Sequence, residues 1–410
     1  MAEIPLTKNR DFMLLWGGQM VSNMGSMASQ VIYPLLILAL TQSPAAAGIA
    51  GSLRMIPYLV LSLPVGALID RWDRKRVMIL CDVGSALAVA TIPVAMAFDA
   101  LTLWQLYAVC FFEGALFVFF NIAEVAALPR VVSRPQLPQA TAQNEAGFGI
   151  ANIIGPSIGT FLYQTFGRAV PFIADAISYL VSLVSLLAIR TRFQPDKASA
   201  RRDLRAEITD GLRWLWSNPL IRYMALLTGG MNLVWAATTL VLVILGKSLG
   251  AADAEIGLIF SIAGAGAIMG SLVGGRIQRS FSFGRVIVVT MWLQAALFLA
   301  LAAMPSWIWL GVVAAFLWML GPVYNVVQFS YRVALIPDEL QGRVNSTFRL
   351  LAFGFIPVGA ALAGFAIEYL GVTATVVLFA AWLAVLAILT TLNPHVRDAV
   401  PIERAKPREI

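Results

Sequence analysis

The chain has 410 residues, of which 59% are hydrophobic and 12% charged, and its formal net charge is +7. A typical soluble domain is about 45–50% apolar and about 25% charged, so this composition excludes an ordinary soluble domain and predicts an integral membrane protein. The single histidine and two cysteines do not make a disulfide or metal-ligand framework. We therefore expect no enzyme activity, no metal and no cofactor.

Apolar runs long enough to cross a bilayer recur twelve times along the chain. A spanning helix needs about 20 apolar residues, and it satisfies its backbone polar groups internally. Each run therefore predicts a transmembrane helix, and the predicted fold is all-α and polytopic. The runs cover residues 12–40, 46–69, 77–97, 102–128, 138–166, 168–189, 219–246, 254–275, 285–304, 307–331, 344–370 and 372–392.

The basic residues are unevenly distributed between the predicted loops. Most of the 29 lysines and arginines lie in the two tails and in every second loop. Cytoplasmic loops of membrane proteins carry this excess, so both termini are predicted to be cytoplasmic. The net positive charge then faces anionic lipid, and no nucleic-acid partner is expected.

One long polar stretch, residues 190–218, separates six predicted helices from the next six. Weak similarity recurs about 204 residues apart, for example between Asn121 and Asn325. It predicts two pseudo-symmetric six-helix bundles, with chance similarity of apolar helices as the alternative. The predicted domains are an N-terminal bundle over 1–190, a cytoplasmic linker with an amphipathic helix over 191–218, a C-terminal bundle over 219–393 and a cytoplasmic tail over 394–410.

A dense group of charges, Gly66 to Arg76, separates the second and third apolar runs and follows the spacing G-x-x-x-D-R-x-x-R-K. This spacing resembles the loop between helices 2 and 3 of the major facilitator superfamily of transporters. Residues 127–142 and 210–222 are similar to segments of the subfamily that contains the enterobactin exporter and macrolide-efflux proteins. The resemblance therefore covers essentially the whole chain.

The resemblance implies a secondary transporter of the bacterial inner membrane that works by alternating access. Gly155, Pro156 and Gly159 follow part of the antiporter motif of drug exporters, which favours export of a drug or siderophore-like amphiphile driven by proton entry. The expected partners are this solute, protons and lipid, and the protein is expected to be a monomer. A uniporter or importer of a small or lipid-like solute, and a non-transporting receptor or sensor, are the alternatives.

Charged residues near the predicted cytoplasmic ends are candidates for a gate. In the family, the aspartate of this loop contacts the start of helix 11. The resemblance therefore implies that Asp70 contacts Arg349, which lies near the start of the eleventh predicted helix. The internal repeat aligns Glu145 with Arg349, and Arg276 or Arg279 is the possible partner of Glu145. The hypothesised latches are Asp70 with Arg349 and Glu145 with Arg279. Exposed ion pairs are worth about 0–1 kcal/mol, weak enough to break during transport. Basic residues of the loop are alternatively only topology anchors. The predicted latch residues are Asp70, Arg71, Arg74, Glu145, Arg279 and Arg349.

Acidic residues inside the apolar runs are candidates for proton coupling, because an ionisable group in a membrane helix costs about 2.5–3.5 kcal/mol on insertion scales. Glu113 and Glu124 lie eleven residues apart on the fourth run, so they share a helix face. For Glu113 a helix–helix hydrogen bond is the alternative, for Glu124 a gate near the cytoplasmic end, and for Asp175 a structural role. Arg54 requires a counter-charge, which Glu368 or Asp175 could supply.

Polar side chains recur at helical spacing on helices that are otherwise apolar. Such stripes predict a water-filled cavity lined by helices 1, 4, 7 and 10 of the family fold, or else interhelical hydrogen bonds. Aromatic residues nearby suit an amphiphilic or aromatic solute. The predicted cavity residues are Gln19, Asn23, Gln30, Tyr33, Phe117, Asn121, Asn232, Trp235, Tyr324, Asn325 and Gln328.

Overall fold

The computed structural model describes residues 5–69, 71–194, 204–337, 340–397 and 399. Over these residues the chain forms fifteen α-helices and no β-strand, which confirms the predicted all-α class. The helices are α1 Arg10–Thr41, α2 Pro44–Ile69, α3 Arg74–Ala97, α4 Leu103–Val131, α5 Leu137–Phe166, α6 Val170–Ala188, α7 Leu204–Ser217, α8 Pro219–Ser248, α9 Asp253–Ser280, α10 Phe283–Ala300, α11 Trp307–Leu335, α12 Gln341–Gly354, α13 Ile356–Leu370, α14 Val372–Leu392 and α15 Pro394–Arg397.

Eleven helical segments of the described chain are long and apolar enough to cross a membrane. They correspond to eleven of the twelve predicted runs. The remaining run forms helix α5, which has 30 residues but carries polar side chains such as Gln139, Gln143 and Asn144 through its first half. A twelfth crossing, by α5, therefore stays a prediction.

The predicted run 344–370 forms two helices rather than one. Helix α12 ends at Gly354 and α13 begins at Ile356, with Pro357 in its first turn. Proline lacks an N–H group and its ring conflicts with the carbonyl four residues before it, so it kinks or breaks a helix. Here the break falls at Phe355, whereas Pro322 lies inside the continuous helix α11. The run is nevertheless one candidate membrane crossing, Arg343–Leu370.

The chain divides into two compact units. Unit 1 holds the described residues up to 194 together with Ala252–Ser261, the beginning of α9. Unit 2 holds the remainder, including the linker helix α7. Residues 195–203 of the predicted linker and residues 400–410 of the predicted tail lie outside the described residues.

Close helix contacts in unit 1 depend on small residues. Helix α1 packs against α5 and α6, and α2 packs against α4. A Cβ atom at Gly159 would collide with the backbone of Ala28 on α1, and one at Gly114 would collide with the carbonyl of Arg54 on α2. Small residues at these crossings let membrane helices approach closely enough for interhelical hydrogen bonds.

In unit 2, the amphipathic helix α7 packs against α12. Gly211 faces the backbone of Arg343, while Trp214 and Leu215 are buried. Trp216 is half exposed. The helix predicted for the linker therefore forms, and one of its faces is covered by the protein itself.

Gly114→Ala is expected to lower the melting temperature of the purified protein, because the added methyl group meets the Arg54 carbonyl. Overpacking of this kind costs about 1–3 kcal/mol. Gly149→Ala is the matched control, since no atom lies within 4 Å of a Cβ there, and replacing a helical glycine by alanine gains up to about 1 kcal/mol. Tryptophan fluorescence during heating in detergent measures both variants. Equal melting temperatures would contradict the close approach of α2 and α4.

Candidate functional site

A cavity of about 410 Å³ lies within unit 1. Its wall is made by residues of α1 to α6. Its lining combines polar groups with aromatic and sulfur-containing side chains. The predicted cavity residues that line it are Gln19, Asn23, Gln30, Phe117 and Asn121.

The polar stripe of α1 serves the cavity and the helix packing together. Gln19 lines the cavity, and its Nε2 donates to Ser182 Oγ on α6 at 3.0 Å. Ser26 also lines the cavity, and its hydroxyl is hydrogen bonded to the Tyr179 hydroxyl at 2.9 Å. Both alternatives offered by the sequence therefore apply to this stripe.

Tyr33, the last member of the stripe, differs from the prediction. Its side chain is not among those that line the cavity and is only 3% exposed. Its ring packs edge-on against Phe172, with centroids 5.2 Å apart. The hydroxyl donates to Glu113 Oε2 at 2.5 Å, because α1 and α4 meet at this level. Tyr33 thus belongs to a buried polar network.

Glu113 is the centre of this network. Its carboxylate accepts hydrogen bonds from the hydroxyls of Tyr33 and Tyr179, the latter at 3.3 Å. Arg54 Nη2 lies 3.9 Å from Glu113 Oε1, and the Glu113 side chain is only 1% exposed. Glu113, Arg54 and Tyr179 also line the cavity. The carboxyl predicted for proton coupling is therefore both buried and next to the cavity.

Asp175 is the second carboxyl of the network. It is fully buried on α6, one turn before Tyr179. The Ser29 hydroxyl donates to its Oδ2 at 2.5 Å, and the Ser178 hydroxyl donates to its Oδ1 at 3.4 Å. We call the group of Tyr33, Arg54, Glu113, Asp175 and Tyr179 the buried charge cluster.

The counter-charge of Arg54 is Glu113, neither of the two candidates drawn from the sequence. The close approach of α4 to α2 at Gly114 places the neighbouring Glu113 beside the guanidinium. Asp175 lies near enough for its charge to interact with Arg54, but no ion pair between them is formed among the described residues. Helix packing thus selected a partner that the sequence reasoning had not named.

Asp82 on α3 is a candidate that sequence reasoning missed. Its side chain lines the cavity and is 2% exposed, and it lies beside the Ser182 hydroxyl. Among the described residues no group forms a hydrogen bond to its Oδ2 atom. The signal was present, since Asp82 is an acid inside the apolar run 77–97 and the rule applied to Glu113 covers it.

Two further acids line the cavity. Glu124 on α4 and Glu145 on α5 are both part of its wall. Glu124 lies close enough for its charge to interact with those of Asp82 and Glu145. The cavity therefore has an acidic side, formed by α3, α4 and α5, in addition to the Arg54–Glu113 pair.

The predicted latch is described only in part. Asp70 lies outside the described residues, and Arg71 is exposed. Arg74 Nη1 donates to the carbonyls of Ala126 at 2.8 Å and Phe193 at 3.2 Å, so Arg74 ties α3 to neighbouring backbone in unit 1. Both the latch role and the topology-anchor alternative for Arg74 stay predictions.

The partners proposed for the latch belong to different units. Arg279 and Arg349 are exposed residues of unit 2, and Glu145 is an exposed residue of unit 1. Arg349 lies over the Phe353 ring at 5.8 Å. The pairing of Asp70 with Arg349 and that of Glu145 with Arg279 stay predictions.

Polar residues predicted for the cavity from the second half form contacts within unit 2. Asn232 Nδ2 donates to the Ala352 carbonyl at 2.8 Å, and the Tyr324 hydroxyl is hydrogen bonded to Thr228 at 2.8 Å. Trp235 packs against another tryptophan. Asn325 is exposed and Gln328 is buried. Asn232 and Tyr324 thus form hydrogen bonds between helices. That any of these five residues lines the solute cavity stays a prediction.

Membrane-spanning helices around a cavity with buried charges are the features of a membrane transporter rather than of an enzyme. Residues 3–406 match the family described as transmembrane secretion effector, MFS_3. The chain belongs to this family of the major facilitator superfamily, and it is a membrane transporter.

Curated relatives and solved structures agree with this assignment. The chain is 26% identical to the multidrug efflux pump Tap of Mycolicibacterium fortuitum, over 96% of this chain and 98% of Tap. It is 28% identical to the enterobactin exporter EntS of Escherichia coli, over 82% of this chain and 80% of EntS.

A crystal structure of a mutant of the nucleoside transporter NupG has a TM-score of 0.80 at 12% identity, covering 93% of this chain and 99% of NupG. A bacterial homologue of the human lysosomal transporter Spinster has a TM-score of 0.74 at 13% identity, covering 98% of this chain and 99% of that protein. These likenesses show the shared transporter fold.

Breaking the Arg54–Glu113 pair from one side is expected to destabilise the protein more than removing both charges. Arg54→Met or Glu113→Gln alone leaves one buried group without its partner, which costs about 3–5 kcal/mol, whereas replacing both groups is often nearly neutral. Melting temperatures of the wild type, both single variants and the double variant form a double-mutant cycle. Additive losses in the double variant would contradict a direct pair.

Proposed function

We propose that this transporter exports an amphiphilic small molecule across the bacterial inner membrane by proton antiport. The single observation that carries the proposal is the position of Glu113, which belongs both to the cavity wall and to the buried charge cluster. Relatives support the direction of transport, since Tap is a multidrug efflux pump and EntS an enterobactin exporter.

The cavity wall supports an amphiphilic solute. Aromatic side chains of Trp16, Tyr58, Phe117 and Phe148 line it together with the amide groups of α1. Its volume of about 410 Å³ lies within the range of about 300–1,000 Å³ typical of small-molecule sites. A drug or a siderophore-like molecule presents apolar surface and hydrogen-bonding groups together, and this wall offers partners for both.

The charge balance of the buried charge cluster supports proton coupling. It contains two carboxyl groups, Glu113 and Asp175, but one guanidinium, that of Arg54. With both carboxyls ionised the cluster carries a net negative charge, and one bound proton neutralises it. Because a net charge inside the membrane is costly, proton binding and solute binding compete for the same compensation at Glu113.

The driving force is sufficient for such an exchange. One charge that moves through 100 mV supplies about 2.3 kcal/mol, and a pH gradient adds to it. The uneven distribution of basic residues supports cytoplasmic termini, so protons entering the cell would exchange for solute leaving it. We propose a monomer as the working unit, because the cavity and the buried charge cluster both lie within unit 1 of one chain.

Proteoliposomes with an imposed pH gradient test the proposal. Uptake of radiolabelled rhodamine 6G, an uncharged steroid and a catecholate siderophore is compared with uptake by empty liposomes. We expect the gradient to drive protein-dependent accumulation of at least one compound, by about fivefold or more. In the Arg54→Met/Glu113→Gln double variant we expect accumulation to fall to the level without a gradient while downhill exchange persists, because the carboxyl that links solute to proton is gone.

The control is Asp99→Asn, an equally conservative loss of charge at an exposed residue after α3, which is expected to transport like the wild type. Protein-dependent flux that ignores the gradient would replace antiport by facilitated diffusion. Gradient-driven accumulation that survives in the double variant would remove Glu113 from the coupling step. No protein-dependent flux for any of the three compounds would count against export of amphiphiles.

A further inference from the structure

We propose that Asp82 and Glu124 form the binding site for the charged group of a lipophilic cation. The inference rests on the export function proposed above and specifies the charge of its solute. It stands on three features of the cavity in unit 1: an excess of acidic side chains, one carboxyl oxygen without a partner, and aromatic rings on the same helix face as Glu124.

The wall of the cavity carries an unequal number of charges. Four acids line it, Asp82, Glu113, Glu124 and Glu145, whereas the only basic residue in its described wall is Arg54. Arg54 is paired with Glu113. The other three acids therefore face the cavity without a basic residue in that wall, and their combined field attracts cations and repels anions.

Asp82 is the acid that most requires a ligand. Its side chain is 98% buried, yet within the described part of the chain its Oδ2 atom accepts no hydrogen bond. A buried acceptor left without a partner is unfavourable. The Ser182 hydroxyl, which accepts a hydrogen bond from Gln19, also interacts with the Asp82 carboxyl, but the Oδ2 atom of Asp82 has no partner among the described residues. A cationic group in the cavity would supply the missing interaction for Asp82.

Glu124 extends the site along α4. Phe117, Phe120, Asn121 and Glu124 all line the cavity, and steps of three or four residues place them on one face of the helix. Aromatic faces attract cations as well as apolar rings. The wall thus offers carboxylates for a positive centre and rings for apolar groups around it, which is the chemistry of a lipophilic onium ion.

The same wall argues against an anionic solute. A carboxylate or catecholate in this cavity would meet Asp82, Glu124 and Glu145 with only Arg54 to compensate, and Arg54 is already engaged. Selectivity against a wrong ligand often comes from such unpaired like charges. The structure therefore separates this chain from exporters whose cargo is strongly anionic.

The test measures binding, so it does not depend on transport. Tritiated tetraphenylphosphonium is bound to the purified full-length protein in detergent, and triphenylphosphine oxide serves as an uncharged analogue of similar shape. We expect the wild type to bind the cation about tenfold or more tightly than the analogue. Asp82→Asn is expected to weaken binding of the cation about tenfold while leaving binding of the analogue unchanged.

Glu124→Gln is also expected to weaken binding of the cation about tenfold. The matched control is Asp99→Asn, a change at an exposed residue, which is expected to bind the cation like the wild type. The conservative changes keep the shape of each side chain and remove its charge, and an unchanged melting temperature verifies that each variant is folded. Equal affinity for cation and analogue, no binding of the cation, or binding unaffected in both Asp82→Asn and Glu124→Gln would overturn the proposal. Cation binding without gradient-driven flux would instead refute the export function and leave the binding site standing.

Discussion

The cost of an ionised side chain inside a membrane helix governs the structure of unit 1. Arg54 and Glu113 both lie in helices that are otherwise apolar, and each would be unfavourable without the other. They can meet because Gly114 lets α4 approach the backbone of α2. The hydroxyl groups of Tyr33 on α1 and Tyr179 on α6 donate hydrogen bonds to the Glu113 carboxylate. The contact that compensates the charges is thus also the contact that joins four helices.

This arrangement connects the cavity to a group that does not line it. Tyr179 contacts Glu113 and Ser26 through its hydroxyl, and Asp175 lies one turn away on the same helix. A change in the protonation of Glu113 would alter the electrostatic surroundings of Asp175, because the two charges interact. Packed and hydrogen-bonded groups can carry such coupling, and the hydrogen bonds named here all lie within unit 1.

Much of the fold was accessible from the sequence, because hydrophobic length is a local property. The interruption at Phe355 was not accessible, because prolines such as Pro93 and Pro322 lie inside continuous helices and Pro357 by itself does not mark a break. The partner of Arg54 was not, because it depends on how closely two distant segments approach at Gly114. Asp82 was overlooked although the cost of burying an acid applies to it as to Glu113. The contact of the Tyr33 side chain with Glu113 was not predictable either, because it depends on where α1 and α4 cross, and helical spacing alone does not give that crossing.

The solute of such a transporter is decided by few residues on a widely shared framework. Structures only 12–13% identical to this chain superpose with TM-scores of 0.74–0.80, so the fold is compatible with many cargoes. The curated relatives Tap and EntS, 26% and 28% identical to this chain, already differ in what their names say they export. We infer that part of what distinguishes this chain lies in the cavity wall. Among the described residues of that wall, the acids of α3, α4 and α5 outnumber the one arginine, and charges inside a protein interact more strongly than the same charges in bulk water.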